Sequence, residues 1–282
     1  MPVPCIAVDI YQGDRVDSFA AAKAVGVELI IHKASEGQSW EDPTYKGRRE
    51  AARSAGLLWA AYHFGTGAPV QAQIDWFLGC VLPDNDPTLR LVLDWESGSM
   101  SVDDAKAFLA AIDAKTGKRT IIYSFLSFLT GRLGNVADRE LGAHPLWLAA
   151  WRDSATPPKP QASWTAPLLW QYAADGQGGF PRSVPGIPGN ALGQLDCNTA
   201  PGMSVEQFRA AWLGDFSAPE HPHDWSWIQA QLADEGLYSG KIDGDPGPKT
   251  EAAVASFVQA NRATPRPVAL TRRRARKRSP GG

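Results

Sequence analysis

At 282 residues the chain has room for one domain of about 200 residues and an appendage. Hydrophobic content of 44% and charged content of 21% are ordinary for a globular protein; no apolar run approaches the roughly 20 residues of a membrane span, so the chain reads as soluble. Net charge is −2, yet the last 20 residues, ATPRPVALTRRRARKRSPGG, carry seven Arg or Lys and no acid, leaving an acidic body poorly matched to phosphate backbones, so nucleic acid is not an expected partner.

The N-terminal stretch MPVPCIAVDIYQGD has neither a basic n-region nor an apolar run ending in a small-residue cleavage site, so no secretory signal is read there. Apolar runs then alternate with helical patterns: CIAVDIY, a helix near Ser18 to Val25, ELIIHKAS, a helix near Tyr45 to Ala55, LLWAAYHFG, a helix near Val70 to Cys80, RLVLDWES, a helix from Val102 to Thr116, and RTIIYS. The near-continuous apolar strands are those of a buried parallel sheet. Ser101, followed by Asp103 and Asp104, is a sound helix start, with a side-chain cap and negative charge at the positive end of the dipole.

After Tyr123 the rhythm changes. PLWLAAW, APLLWQYA and GQLDCN read as three further strands joined by segments rich in Pro, Gly and Ser and poor in helix pattern. Eight strands suggest a closed α/β barrel, in which reacting groups gather at the C-terminal strand ends. A short helix near Val205 to Leu213 follows. Pro219 and Pro222 mark a boundary in GDFSAPEHPH, and a small all-α unit is expected beyond it. The expected organisation is therefore a barrel over 1–213, a linker over 214–223, a helical module over 224–262 and a disordered basic tail over 263–282. Cys5, Cys80 and Cys197 are an odd, widely spaced set without a CxxC pair, which points to small buried side chains and away from a disulfide framework or zinc site.

Asp9 ends the first strand, Asp94 and Glu96 close the fourth in LVLDWESG, and Asp196 lies in QLDCN at the last. Residues i and i+2 of a strand share a face, so Asp94 and Glu96 stand together while Trp95 turns away. Two neighbouring carboxylates do not both ionise cheaply, and the one kept protonated can donate to a glycosidic oxygen. Glu96, with the longer reach, is the expected acid and Asp94 its ionised partner; Asp9 and Asp196 hold water, fix rotamers or tune the pair. A lone strand-end Asp serves as often to cap a helix or hold a structural cation, whereas four at one rim point to chemistry. Eleven Trp add flat surfaces of the kind that stack on sugar rings.

The ordered set VDIYQG, IIHKASEG, WAAYHFG, DWE, IIYS, LWLAAW, LWQYA and QLDCN resembles glycoside hydrolase family 25, the Chalaropsis-type lysozymes and phage endolysin muramidases, over about residues 3–213. The resemblance implies a TIM-like barrel of five βα units and three closing strands. It also implies cleavage of the β-1,4 bond between N-acetylmuramic acid and N-acetylglucosamine, with Glu96 as general acid, Asp94 as partner, and Asp9 and Asp196 in support. It further implies substrate contacts at Lys33, Tyr62, Tyr123, Trp151, Trp170 and Gln171, with no metal or organic cofactor. Trp95, Ser97 and Trp151 depart from the family pattern and bear on subsite preference. In the C-terminal unit, LYSGKIDGDPGPKTEAAV is similar to the peptidoglycan-binding domain 1 family, with Pro248 opening its second helix.

The expected partner is thus the peptidoglycan glycan strand, met by a monomer in the periplasm or extracellular wall after release by a holin or another secretion route. The alternative is a non-catalytic wall-binding or effector protein on an inactive barrel, and a third reading is an enzyme of chitin-like polymers.

Overall fold

The computed structural model describes residues 4–81, 86, 88–214 and, further on, 229, 232–233, 236–244, 247–250, 252–254 and 256. The chain divides into two compact units, Met1–Pro219 and Glu220–Gly282. Most of the expected linker, the whole basic tail and the last part of the expected helical module lie outside the described residues.

The first unit runs β1 (Ala7–Ile10), α1 (Phe19–Ala24), β2 (Leu29–Glu36), β3 (Trp40–Glu41), α2 (Tyr45–Ser54), β4 (Leu58–Phe64), α3 (Val70–Val81), β5 (Arg90–Asp94), α4 (Val102–Thr116), β6 (Ile121–Phe125), α5 (Leu126–Leu133), α6 (Arg139–Gly142), β7 (Leu146–Ala149), β8 (Leu169–Ala174), β9 (Gln177–Gly178), β10 (Asp196–Thr199) and α7 (Val205–Leu213). Eight of the strands close into a ring in the order β1-β2-β4-β5-β6-β7-β8-β10, and β10 returns to β1. Neighbours are parallel from β1 round to β8, while β10 is antiparallel to both β8 and β1. The two-residue β3 and β9 are hairpin additions at the ends of β2 and β8.

Helix ends follow local chemistry. The Ser18 hydroxyl accepts from Ala21 N at 3.1 Å and that of Ser101 from Asp104 N at 3.0 Å, and Gly117 closes α4 at φ 68°, a conformation costly for any residue with a Cβ. Ser204 and Gln207 form a reciprocal capping box on α7.

The segment after Tyr123, poor in helix pattern by sequence, completes the five expected βα units. It holds α5 and α6 and so supplies the fifth βα connection; Leu126, Leu129 and Leu133 give α5 an inward face, but no side chain caps its start at Phe125, and Gly131 and Gly134 dilute the pattern.

Two apolar layers result from strand alternation. Val8, Ile30, Trp59, Leu91, Leu93, Ile122, Leu148 and Trp170 face outward into the packing against the helices. Ala7, Leu29, Ile31, Leu58, Ala60, Val92, Ile121, Trp147 and Leu169 fill the barrel, whose floor is closed by Phe208 and Trp212 of α7. Arg90 holds that floor by donating to Trp212 O at 2.9 Å and to Gly214 O, and Trp212 Nε1 donates to Thr88 O at 3.0 Å.

In the second unit, Leu232, Tyr238 and Ala253 form a small buried cluster. Buried Gln229 accepts from the backbone N–H groups of Asp243 and Gly244 at 2.9 and 3.0 Å and donates to Thr250 Oγ1 at 3.1 Å, tying the Asp243–Gly244 turn to the residues after Pro248. No helix among the described residues is long and apolar enough to cross a membrane.

Candidate active site

Alternation along the strands decides which side chains reach the barrel mouth. Positions 7 and 9 of β1, 29, 31 and 33 of β2, 58, 60 and 62 of β4, 92 and 94 of β5, 121 and 123 of β6, and 169 and 171 of β8 share the inner face. The apolar member of each series lies low, and the last member is polar: Asp9, Lys33, Tyr62, Asp94, Tyr123 and Gln171. Backbone register sets Lys33 beside Tyr62, Asp94 beside Tyr123 and Asp9 opposite Asp196. Just past β5, Trp95 is fully buried on the outer side, its Nε1 donating to Met100 O at 3.3 Å, and Glu96 turns back to the mouth.

Trp95 therefore presents no surface to a substrate. Trp170 is likewise buried outside the ring, with Nε1 donating to Ala150 O at 2.8 Å; it sits one residue from Gln171 and on the opposite face. Ser97, at the rim, exchanges a 2.7 Å hydrogen bond with Ser99.

A directed hydrogen-bond chain joins five strands. Tyr123 Oη and Trp151 Nε1 donate to Gln171 Oε1 at 3.1 and 2.8 Å, which orients the Gln171 amide so that Nε2 donates to both oxygens of Asp9, at 3.1 and 2.9 Å. From the other side, Trp147 Nε1 donates to Asn198 Oδ1 at 2.6 Å and Asn198 Nδ2 to Asp9 Oδ1 at 2.7 Å. Asn198 and Trp147 were not singled out in the sequence; Asn198 lies two residues beyond Asp196, on the same face, which was the available signal.

Burial raises the proton affinity of Asp9 to about 6, although the bonds from Asn198 and Gln171 oppose the rise. Burial, followed by repulsion from Asp9, pushes Asp196 up to about 9. Desolvation holds Asp94 well above the usual carboxylate range, with Glu96 the next contributor, and it also raises Glu96; in both cases Lys33 pulls the other way. Burial and mutual repulsion therefore favour a pair that shares one proton over one in which both acids are ionised. Asp94 Oδ1 is buried with no hydrogen-bond partner among the described residues.

Lys33 Nζ is held 2.6 Å from Glu36, with Trp40 and Phe64 rings at 4.9 and 5.1 Å. Burial, then Asp94, raises the phenols of Tyr62 and Tyr123 well above their ordinary value, so both remain neutral donors. An open cleft of about 880 Å³ leads outward from Glu96 and Tyr123 between α5 and the Trp151 segment. Trp151 is 41% exposed there, and Phe125 forms part of the opposite wall.

Four acids gather at the mouth of this closed barrel, and Glu96 opens on an aromatic-walled cleft, which places the protein among the glycoside hydrolases. Glycosyl hydrolases family 25 matches residues 6–179, and the chain belongs to that family. A second family, the putative peptidoglycan binding domain, matches residues 222–265.

The chain is 28% identical over 261 residues to the autolytic lysozyme of Clostridium acetobutylicum, covering 89% of this chain and 71% of the relative. It is 29% identical to the N,O-diacetylmuramidase of Chalaropsis sp., covering 58% and 87%. Among solved structures, the bacterial lysozyme of Streptomyces coelicolor superposes with TM-score 0.58 at 24% identity, over 73% of this chain and 95% of that one, a likeness of fold.

Proposed function

We propose that the protein is a lysozyme that hydrolyses the β-1,4 bond between N-acetylmuramic acid and N-acetylglucosamine in peptidoglycan, with Glu96 as general acid. The observation that carries this reading is the Asp94–Glu96 pair: two acids on one face of the barrel mouth, held above the ordinary carboxylate range, of which Glu96 opens on the cleft.

A glycosidic oxygen must be protonated as it leaves, and of the two acids whose proton affinity burial raises, Glu96 is the one that opens on the cleft and can reach that oxygen. With the proton on Glu96, Asp94 is the carboxylate. A carboxylate in that place is a suitable acceptor for the N–H of a 2-acetamido group. Held in that way, the acetamido carbonyl attacks C1 while Glu96 releases the leaving oxygen, and water completes hydrolysis with Glu96 taking its proton. This is the substrate-assisted variant of two-carboxylate chemistry.

Asp9 and Asp196 support the pair from the other side of the mouth. Lys33, Tyr62, Tyr123 and Trp151 bound the sugar site, with Gln171 behind them. Because one barrel rim supplies every group, the enzyme acts as a monomer, on the cell wall. The match to a peptidoglycan binding family supports a second wall-directed module over 224–262, which would raise local substrate concentration without new chemistry.

The test is mass analysis of soluble fragments from purified peptidoglycan after borohydride reduction, with wild type and Glu96→Gln. Reduced muramic-acid ends, lost in the variant, support the reading. Wall binding without fragments would leave a non-catalytic wall-binding protein, and reduced glucosamine ends would assign a different bond.

A further inference from the structure

We propose that Arg152 is a specificity-determining residue that receives a carboxylate from the peptide-bearing side of the substrate. This rests on the muramidase reading above and extends it from the sugar backbone to the groups hung on it.

Of the described residues lining the cleft, Arg152 is the only cation and Glu96 the only acid. Three arginines lie on the segments around that cleft, and two are committed to the protein. Arg132 donates to Gly98 O and lies over the Phe128 ring; Arg182 donates to Gly176 O, Gly178 O and Gly179 O and lies over the Phe180 ring. Arg152, in contrast, is exposed, and among the described residues its guanidinium makes no hydrogen bond or ion pair.

Its backbone is fixed all the same. Arg152 N donates to Tyr172 O at 3.2 Å, Ala150 N to Gln171 O at 3.1 Å, and neighbouring Trp151 is tied to Gln171 through Nε1. The guanidinium thus projects from an anchored stem beside an aromatic platform, with its five donors available. A planar fork of that kind matches a carboxylate bidentately, and the neighbouring Trp151 face suits a sugar ring.

Glycan strands of the proposed substrate carry carboxyl groups on the lactyl arm of muramic acid and along the attached stem peptide, whereas chitin-like strands carry none. An unpartnered cation in the cleft, on the same side as Trp151, separates these two polymers by charge. It also makes the anionic peptide arm a contributor to binding.

The experiment compares full-length protein on purified peptidoglycan and on the same material after its carboxyl groups have been converted to neutral methylamides. Wild type is expected to lose about tenfold in kcat/KM on the amidated wall, the usual scale of one charge-assisted contact. Arg152→Gln is expected to lose about tenfold on the native wall and nothing further on amidation, with its thermal midpoint unchanged, and Arg152→Lys to retain part of the discrimination. The inference is overturned if wild type treats both walls alike, or if Arg152→Gln discriminates as wild type does. Failure of the muramidase reading is distinct: wild type would then yield no reduced muramic ends from either wall.

Discussion

Gln171 donates its side-chain amide to both oxygens of Asp9, at 2.9 and 3.1 Å, so residues 162 positions apart in sequence form one hydrogen-bonded unit across the closing seam of the barrel. Replacing Gln171 with Leu leaves Asp9, Tyr123 and Trp151 each short of a buried partner. Stability is expected to fall by about 1–3 kcal/mol and kcat/KM by about tenfold or more, as measured by denaturant unfolding and by fragment release from peptidoglycan.

Lys33 favours the ionised forms of both Asp94 and Glu96. Without it the acids hold their protons to higher pH, so Lys33→Met is expected to move the alkaline limb of the kcat/KM profile upward, by up to about one pH unit. An unchanged limb would mean that the ammonium does not act on the pair.

Asp196 has a folded-state proton affinity raised to about 9, against an ordinary value of 3.8. Between those values the native state holds a proton that the unfolded chain releases, so this group's contribution to stability declines as pH rises from about 4 to 9. Asp196→Asn is expected to remove that decline and to be more stable than wild type at pH 7, by on the order of 2 kcal/mol. Thermal midpoints measured across pH 4 to 9 test this, and parallel curves for the two proteins would refute it.

Two tryptophans separate sugar contact from packing. Trp151→Ala should raise KM several-fold and weaken the Gln171 link, whereas Trp170→Ala should cost about 3–5 kcal/mol of stability and leave the KM of the surviving folded protein near wild type. Steady-state kinetics beside calorimetry distinguishes the two.

Gly178 has φ 87°, and a Cβ there would lie 2.0 Å from Tyr172 O. Gly178→Ala is expected to disrupt the β8–β9 hairpin and cost at least about 2 kcal/mol, read as a lowered thermal midpoint.

The barrel was legible in the sequence because its strands are continuous apolar runs and four of its helices carry clear periodicity or caps. Helix α5 was not, because its start is uncapped and two glycines interrupt its apolar face. Asp9 and Asp94 were legible because each lies at the C-terminal end of a strand, and the parity of β5 placed Glu96 with Asp94 and turned Trp95 away; Asp196, expected at a strand end, instead opens β10 and reaches the same rim because that strand runs antiparallel. Parity could equally have separated Trp170 from Gln171, yet motif likeness grouped them, and the structure puts them on opposite faces. The hydrogen-bond chain through Asn198 and Trp147 was not legible, since its partners meet only through the register of strands distant in sequence.

That seam has a consequence for when activity first exists. Asp9 belongs to the first strand of the ring, but the donors that define its geometry, Gln171 and Asn198, belong to its last strands. A nascent chain halted before β10 carries both Asp94 and Glu96 and still lacks the wall that completes their surroundings. Competence therefore depends on almost the whole catalytic unit, from β1 to β10, being present and the ring being closed.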